Sequence, residues 1–208
     1  MTATADSTDG SDEQRSEAVA RRRREILEAT CETLSRKGVS ATRIADVARR
    51  LGISTGLVHY HFATKDELLA EAFQFAGKAE LEVLRELAAV DLPPRRRLNA
   101  VIEEFCPRGE FVSWRLWIEG WAEALRSERF RATSRELDEA WIGVLEDTIT
   151  AGVASGDFIC PSPHDSAWRL SCLIEGLAIQ LVAHGGTIDS VEMARLVDAA
   201  VSAEVSGG

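Results

Sequence analysis

The sequence predicts an all-α protein of about nine helices, and three observations carry that prediction. Apolar residues recur at helical spacing through nearly every segment of the 208-residue chain. No stretch alternates apolar and polar residues over about five or more positions, as a half-buried strand would. The breakers Pro93-Pro94, Pro107, Gly156 to Pro163 and Gly185-Gly186 cut the chain into helix-length pieces.

Taken in order, residues 1–16 are rich in Ser, Thr, Asp and Gly and read as a disordered tail. A helix should start near Glu17, because Val19, Ile26, Leu27, Cys31 and Leu34 share one face, and Gly38 is a natural stop. A short helix from about Arg43 to Arg50 turns Ile44, Val47, Ala48 and Leu51 inward. Leu51-Gly52-Ile53 makes a tight turn, and Ser54 opens a third short helix that ends at His61. Thr64-Lys65-Asp66-Glu67 has the form of a capping box, so a longer helix should run from Lys65 towards Leu87. Helices then follow over 95–105, 109–126, 131–154, 165–183 and 189–203. The domain reading is a tail over 1–16, a three-helix unit over 17–64 and a larger helical domain over 65–208.

Composition narrows the class. Hydrophobic residues make up 45% and charged residues 28%, a soluble globular balance. No run of ~18 apolar residues suggests a membrane span, and no secretory leader is present, so the cytoplasm is expected. The cysteines Cys31, Cys106, Cys160 and Cys172 form no C-x-x-C pair, and the histidines have no metal spacing, so neither metal nor cofactor is expected. The net charge of −10 hides an asymmetry. Residues 18–65 hold ten basic and four acidic side chains, whereas 66–208 hold thirteen basic and twenty-five acidic. One compact surface is thus suited to a polyanion, and the remainder would be repelled by it.

That basic block carries the sharpest motif. A glycine turn between the second and third short helices makes a helix-turn-helix, whose third helix enters the major groove. Ser54, Thr55 and Gly56 are small enough to approach base edges, while His59, Tyr60, His61 and Lys65 offer donors to phosphate. The stretch ATRIADVARRLGISTGLVHYHFATKDELL resembles the DNA-binding segment of the TetR family of transcriptional regulators, over about Arg22 to Phe73. Ile44, Val47, Ala48, Gly52, Ser54, Phe62, Lys65, Leu68 and Leu69 all fall on the family pattern. The resemblance implies that Thr42 and Arg43 open helix two at the DNA, that Thr55, Gly56 and Leu57 face the groove, and that His59, His61 and Lys65 approach phosphate. His59 stands where the family most often has tyrosine, and Arg43 where threonine is common. Arg21 to Arg24 read either as a solvated helix face or as phosphate contacts.

In the family, the remaining helices dimerise and enclose a ligand pocket. LWIEGWAEALRSE and RLSCLIEGLAIQL resemble the subgroup named for the choline-responsive regulator BetI, over about 105–185. From the residues themselves, Trp114, Trp117 and Trp121 share one helix face, and Trp141 lies on a second stripe with Leu137, Leu145 and Thr148. These rings are either core or pocket wall. Glu175 sits on an almost wholly apolar helix, with Trp168, Ser171 and Cys172 on its own face. It requires an internal or interface partner, a raised pKa or a bound cation, and choline-like compounds or polyamines would fit the last. Leu170, Leu173, Ile174, Leu177 and Leu181, with Val191, Leu196, Val197 and Ala200, are expected to form the seam of a homodimer.

The expected function is a dimeric regulator, most readily a repressor, that binds a palindromic operator and is released by a small effector. The alternative keeps DNA binding but places control in a thiol or a protein partner. An enzyme is excluded by the lack of any nucleophile elbow, dinucleotide fingerprint, P-loop or metal triad.

Overall fold

A computed structural model describes residues 9–109 and 111–207. Among them are nine α-helices: α1 Asp9–Lys37, α2 Ile44–Leu51, α3 Thr55–His61, α4 Lys65–Ala89, α5 Pro94–Phe105, α6 Val112–Ala124, α7 Glu128–Ala154, α8 Pro163–Ile179 and α9 Ser190–Glu204. The all-α expectation holds. One element escaped it: two-residue strands β1 Phe158–Ile159 and β2 Ser206–Gly207 pair antiparallel, too short to show any alternation in sequence. The expected tail over 1–16 needs amending as well. Helix α1 begins at Asp9 rather than near Glu17, and residues 1–8 lie outside the described residues.

The chain divides into two compact units at Phe75–Ala76, inside α4 and later than the expected boundary at 64–65. The reason lies in the first turns of α4. Leu68, Leu69, Ala72 and Phe73 are buried with Ile26, Leu34, Val47, Val58 and Phe62. Arg23 of α1 is ion-paired to Glu71 and lies 4.6 Å over the Phe62 ring, and the Cys31 thiol bonds the Ala72 carbonyl at 3.2 Å.

Local signals set the helix ends of this first unit. Asp46 closes the start of α2 by accepting the Arg43 amide (3.2 Å) and is clamped by Lys37 at 2.9 Å, which holds its carboxyl below the usual carboxylate range. Gly52 ends α2 at φ 65°, a left-handed conformation that favours glycine. Ser54 accepts the Leu57 amide at 3.1 Å and caps α3. Thr64 caps α4 as expected, its hydroxyl accepting the Glu67 amide at 3.0 Å, while Glu67 reaches one residue further back, to the Ala63 amide at 2.8 Å.

In the second unit α5, α6 and α8 pack on α7, and α9 packs on α8. Its core includes Leu98, Val101, Phe130, Leu137, Leu145, Ile149, Leu170, Ile174, Met193, Val197 and Val201. This corrects the expected seam in part: Leu170, Ile174 and Val197 are already buried within one chain and cannot also face a partner, whereas Leu173, Leu177, Leu181, Val191, Leu196 and Ala200 stay half-buried or exposed. The surface side of α8 also exposes Trp168, Cys172 and Gly176, and that of α9 exposes Ala194 and Ala199 beside the expected Val191. Helix α8 ends in a π-helical turn, Gln180–His184, before Gly185 and Gly186. Together, Pro163–His184 make a helix of 22 residues that is long and apolar enough, by length and composition, to cross a membrane. That corrects the expectation that no stretch would qualify. Asp165, Arg169 and Glu175 interrupt it, and about a third of its apolar window is buried inside the chain.

Candidate DNA-binding surface and ligand cavity

The helix-turn-helix presents its third helix outward. Thr55, Gly56, His59 and Tyr60 are exposed, Tyr60 at 71%, while Leu57 and His61 are half-buried and Val58 anchors the helix in the core. Lys65 is exposed at the start of α4, 3.4 Å from the Ser40 carbonyl, and Arg43 is exposed ahead of α2. Burial, and then the charges of Arg23 and Arg22, hold the His61 pKa down.

Thr42 does not join this surface. It is fully buried and donates its hydroxyl to the Gly38 carbonyl at 2.7 Å, so its side chain closes the α1–α2 turn. The arginine run is mostly committed within the protein. Arg22 pairs with Glu25, Arg23 with Glu71 and Arg24 with Glu28, while Arg21 and Arg24 are exposed.

In the second unit, side chains from α4, α5, α6 and α7 line a partly open cavity of about 240 Å³. Trp114, Trp117 and Trp121 of α6, Trp141 of α7 and Phe105 of α5 line it. The rings meet mostly edge to face: Trp114 and Trp121 at 6.0 Å, Trp117 and Trp141 at 6.0 Å, Phe105 and Trp141 at 4.7 Å between centroids. The indole N–H of Trp141 is buried and has no hydrogen-bond partner in this aromatic packing.

Three carboxylates share the wall: Glu80, Glu104 and Asp138. Glu80 accepts Ser113 Oγ at 2.5 Å and Trp117 Nε1 at 2.9 Å. Burial still pushes its pKa up, against the pull of those two donors. Asp138 is bonded by Trp121 and by Ser134 (3.3 Å), and burial raises its pKa to about 6. Glu104 is ion-paired to Arg108. An aromatic box with poorly solvated negative charge suits a compact organic cation: ring faces attract it, and Glu80 and Asp138, held only by neutral donors, gain a counter-ion.

Two further ligand candidates stand elsewhere. Trp168 is 44% exposed on the surface of α8 and does not line the cavity. Glu175 also lies outside the lining set. It accepts Ser171 Oγ at 3.0 Å, and its pKa is raised by burial first and then by the nearby charge of Asp138. Its partner within the chain is therefore a neutral serine, and the charge that acts on it is a second carboxylate.

Two family profiles cover most of the chain. Residues 26–72 match the bacterial regulatory proteins of the tetR family, and residues 94–206 match the C-terminal region of BetI-type transcriptional repressors. The chain belongs to the TetR family of bacterial regulatory proteins, with a BetI-type C-terminal domain. This TetR-family chain is accordingly a DNA-binding transcriptional regulator and not an enzyme.

Among its relatives is the transcriptional regulator BetI of Burkholderia thailandensis, 28% identical over 85% of this chain and 90% of that protein. A transcriptional regulator from Saccharomonospora viridis, solved in complex with choline, is 28% identical with a TM-score of 0.80, over 89% of this chain and 98% of its own. A TetR-family regulator from Rhodococcus sp. is 25% identical with a TM-score of 0.77, covering 90% and 100%.

The cavity's three carboxylates escaped the sequence reading, yet two of them left a trace. Glu80 lies on the buried stripe Phe73–Gly77–Leu81–Leu84 of α4, and Asp138 lies on the stripe Ser134–Trp141–Leu145 of α7. A carboxylate on a buried stripe is the signal that singled out Glu175, and it applied equally to these two.

Proposed function

We propose that this TetR-family regulator is a cytoplasmic homodimeric repressor whose operator affinity is lowered by a small organic cation held in the α4–α7 cavity. The observation that carries the reading is the cavity wall, four indoles interleaved with three carboxylates. A quaternary ammonium group offers no N–H to a hydrogen-bond acceptor, so its recognition has to come from ring faces and unneutralised negative charge. Choline, held by the Saccharomonospora viridis relative, is the first candidate.

On the DNA side, α3 of each protomer reads half of a palindromic site, with Thr55, Gly56 and Leu57 in the groove. Arg43, His59, Tyr60, His61 and Lys65 contact phosphate. The exposed faces of α8 and α9 meet their symmetry mates and set the spacing of the two recognition helices at ~34 Å. The ligand releases DNA because it prefers a different arrangement of the dimer. Control by a thiol is disfavoured at Cys106, where burial pushes the pKa up to about 11, far from a reactive thiolate.

Intrinsic tryptophan fluorescence tests the ligand. Choline should quench saturably, whereas its neutral carbon isostere, with a tert-butyl group in place of trimethylammonium, should bind at least about tenfold more weakly. Equal affinity for the two would refute the cation reading. In a gel-shift assay with operator DNA, choline should weaken the complex.

A further inference from the structure

Arg108 stands between two cavities. It lines the aromatic cavity beside Glu104, and it lines a second cavity of about 360 Å³ between α5 and α9 together with Glu103 and Asp198. Its ion pair with Glu104 is lopsided: the glutamate side chain is 20% exposed and the arginine 56%. Glu104 is largely stripped of water and needs a positive partner, whereas the guanidinium stays well solvated wherever it points. The other two carboxylates of the aromatic cavity are held by neutral donors from Ser113, Trp117, Trp121 and Ser134. Among the described residues that line this cavity, Arg108 is the one cation.

We propose that Arg108 is the cavity's resident counter-ion: an incoming organic cation displaces its guanidinium from Glu104, and Arg108 re-seats against Glu103 and Asp198, handing the occupancy signal to α9. The proposal rests on the reading that the aromatic cavity takes a cation, and it names the residue with which that cation competes. The event is an exchange of one positive partner for another, so Glu104 is never left unpaired. A neutral molecule of the same shape cannot make the exchange, so Arg108 also sharpens selection for charge. Because Asp198 is on α9, the displaced guanidinium pulls on a helix that reaches the proposed dimer face, and ligand binding thereby acquires a preference between dimer arrangements.

The test uses choline as the probe and tryptophan fluorescence as the readout, on the full-length wild type, Arg108→Gln, Glu104→Gln and the double variant. Competition for Glu104 predicts that Arg108→Gln binds choline about tenfold tighter, and that the same substitution changes affinity less than about twofold once Glu104 is glutamine. Equal tightening in both backgrounds would mean a general field effect and overturns the proposal. Weaker binding in Arg108→Gln overturns it too, because Arg108 would then be holding the ligand. Asp198→Asn tests the second seat: affinity should fall about threefold in the wild type and not at all in the Arg108→Gln background. An equal loss in both removes α9 from the exchange. If wild-type protein gives no saturable choline response, the cation reading itself falls, a result distinct from any of these.

Discussion

Asp138 illustrates how one side chain ties ligand affinity to acidity. With its pKa raised from 3.8 to about 6 by burial, it is largely ionised at pH 7.5 and largely protonated at pH 5. A permanent cation binds the ionised form, so choline affinity should climb as pH rises through about 6 and then level off. Asp138→Asn should flatten that profile while lowering affinity at neutral pH, as titration over pH 5–8 would register. The sign is opposite for stability of the ligand-free protein. A raised folded-state pKa means that this group's contribution is present below the ordinary carboxylate value and is lost as pH rises through about 6. At the DNA-binding end, two threonines close in sequence should separate by role. Thr42→Ala removes a buried hydroxyl bonded to Gly38 and should cost about 1 kcal/mol of stability in thermal denaturation. Thr55→Ala should leave the melting temperature in place and weaken the operator complex.

At the scale of the element, helix ends and close approaches decide how well each side chain is aimed. Ser54 caps a recognition helix of only 7 residues, so Ser54→Ala should cost about 1 kcal/mol and loosen Thr55, Gly56 and Leu57 together. The observable is an operator affinity that falls while the dimer remains folded. On α7, Gly152 lets β1 come close: a methyl group there would sit 2.0 Å from the Phe158 ring. Gly152→Ala should therefore destabilise the second unit by about 1–3 kcal/mol, with partial recovery when Phe158 is also trimmed to leucine. A Gly152→Ala protein as stable as the wild type would show that the β1–β2 end yields easily. Helix α5 stops at Phe105 with an extended Cys106 before Pro107, and the connection to α6 is then shaped by Gly109 and Phe111, both at positive φ (60° and 57°), with Arg108 and Phe111 on the cavity wall. That bend is also why α6 starts at Val112 rather than at the expected 109.

For the whole molecule, the proposed repression requires that two copies hold their recognition helices at a fixed spacing. The exposed faces around Cys172 on α8 and Ala199 on α9 are the proposed contact, so Cys172→Arg or Ala199→Glu should yield a monomer in analytical ultracentrifugation. The monomer should keep its helical circular dichroism and its cavity yet bind operator at least about a hundredfold more weakly, since each half-site then has to be held alone. A dimer that survives both substitutions would move the interface elsewhere. The charge asymmetry belongs to this scale as well. A basic block over 18–65 in a chain of net charge −10 fits the proposal that DNA meets one surface while the acidic remainder is repelled.

Periodicity alone determined that the chain is all-α, where most helices run and that its first unit is a helix-turn-helix. Each of those facts depends on residues within about a dozen positions of one another. The four cavity tryptophans were legible for the same reason, because their spacing put them on common helix faces. Only packing decided that Glu80, Glu104 and Asp138 join them, since four different helices must converge before those carboxylates share a space. Packing likewise put Trp168 at the surface, left Glu175 behind the wall, buried Thr42 and took Leu170, Ile174 and Val197 into the core of one chain. A helical stripe states which residues point the same way. Which neighbour lies on that side is set by the crossing of helices far apart in sequence, and no local pattern encodes it.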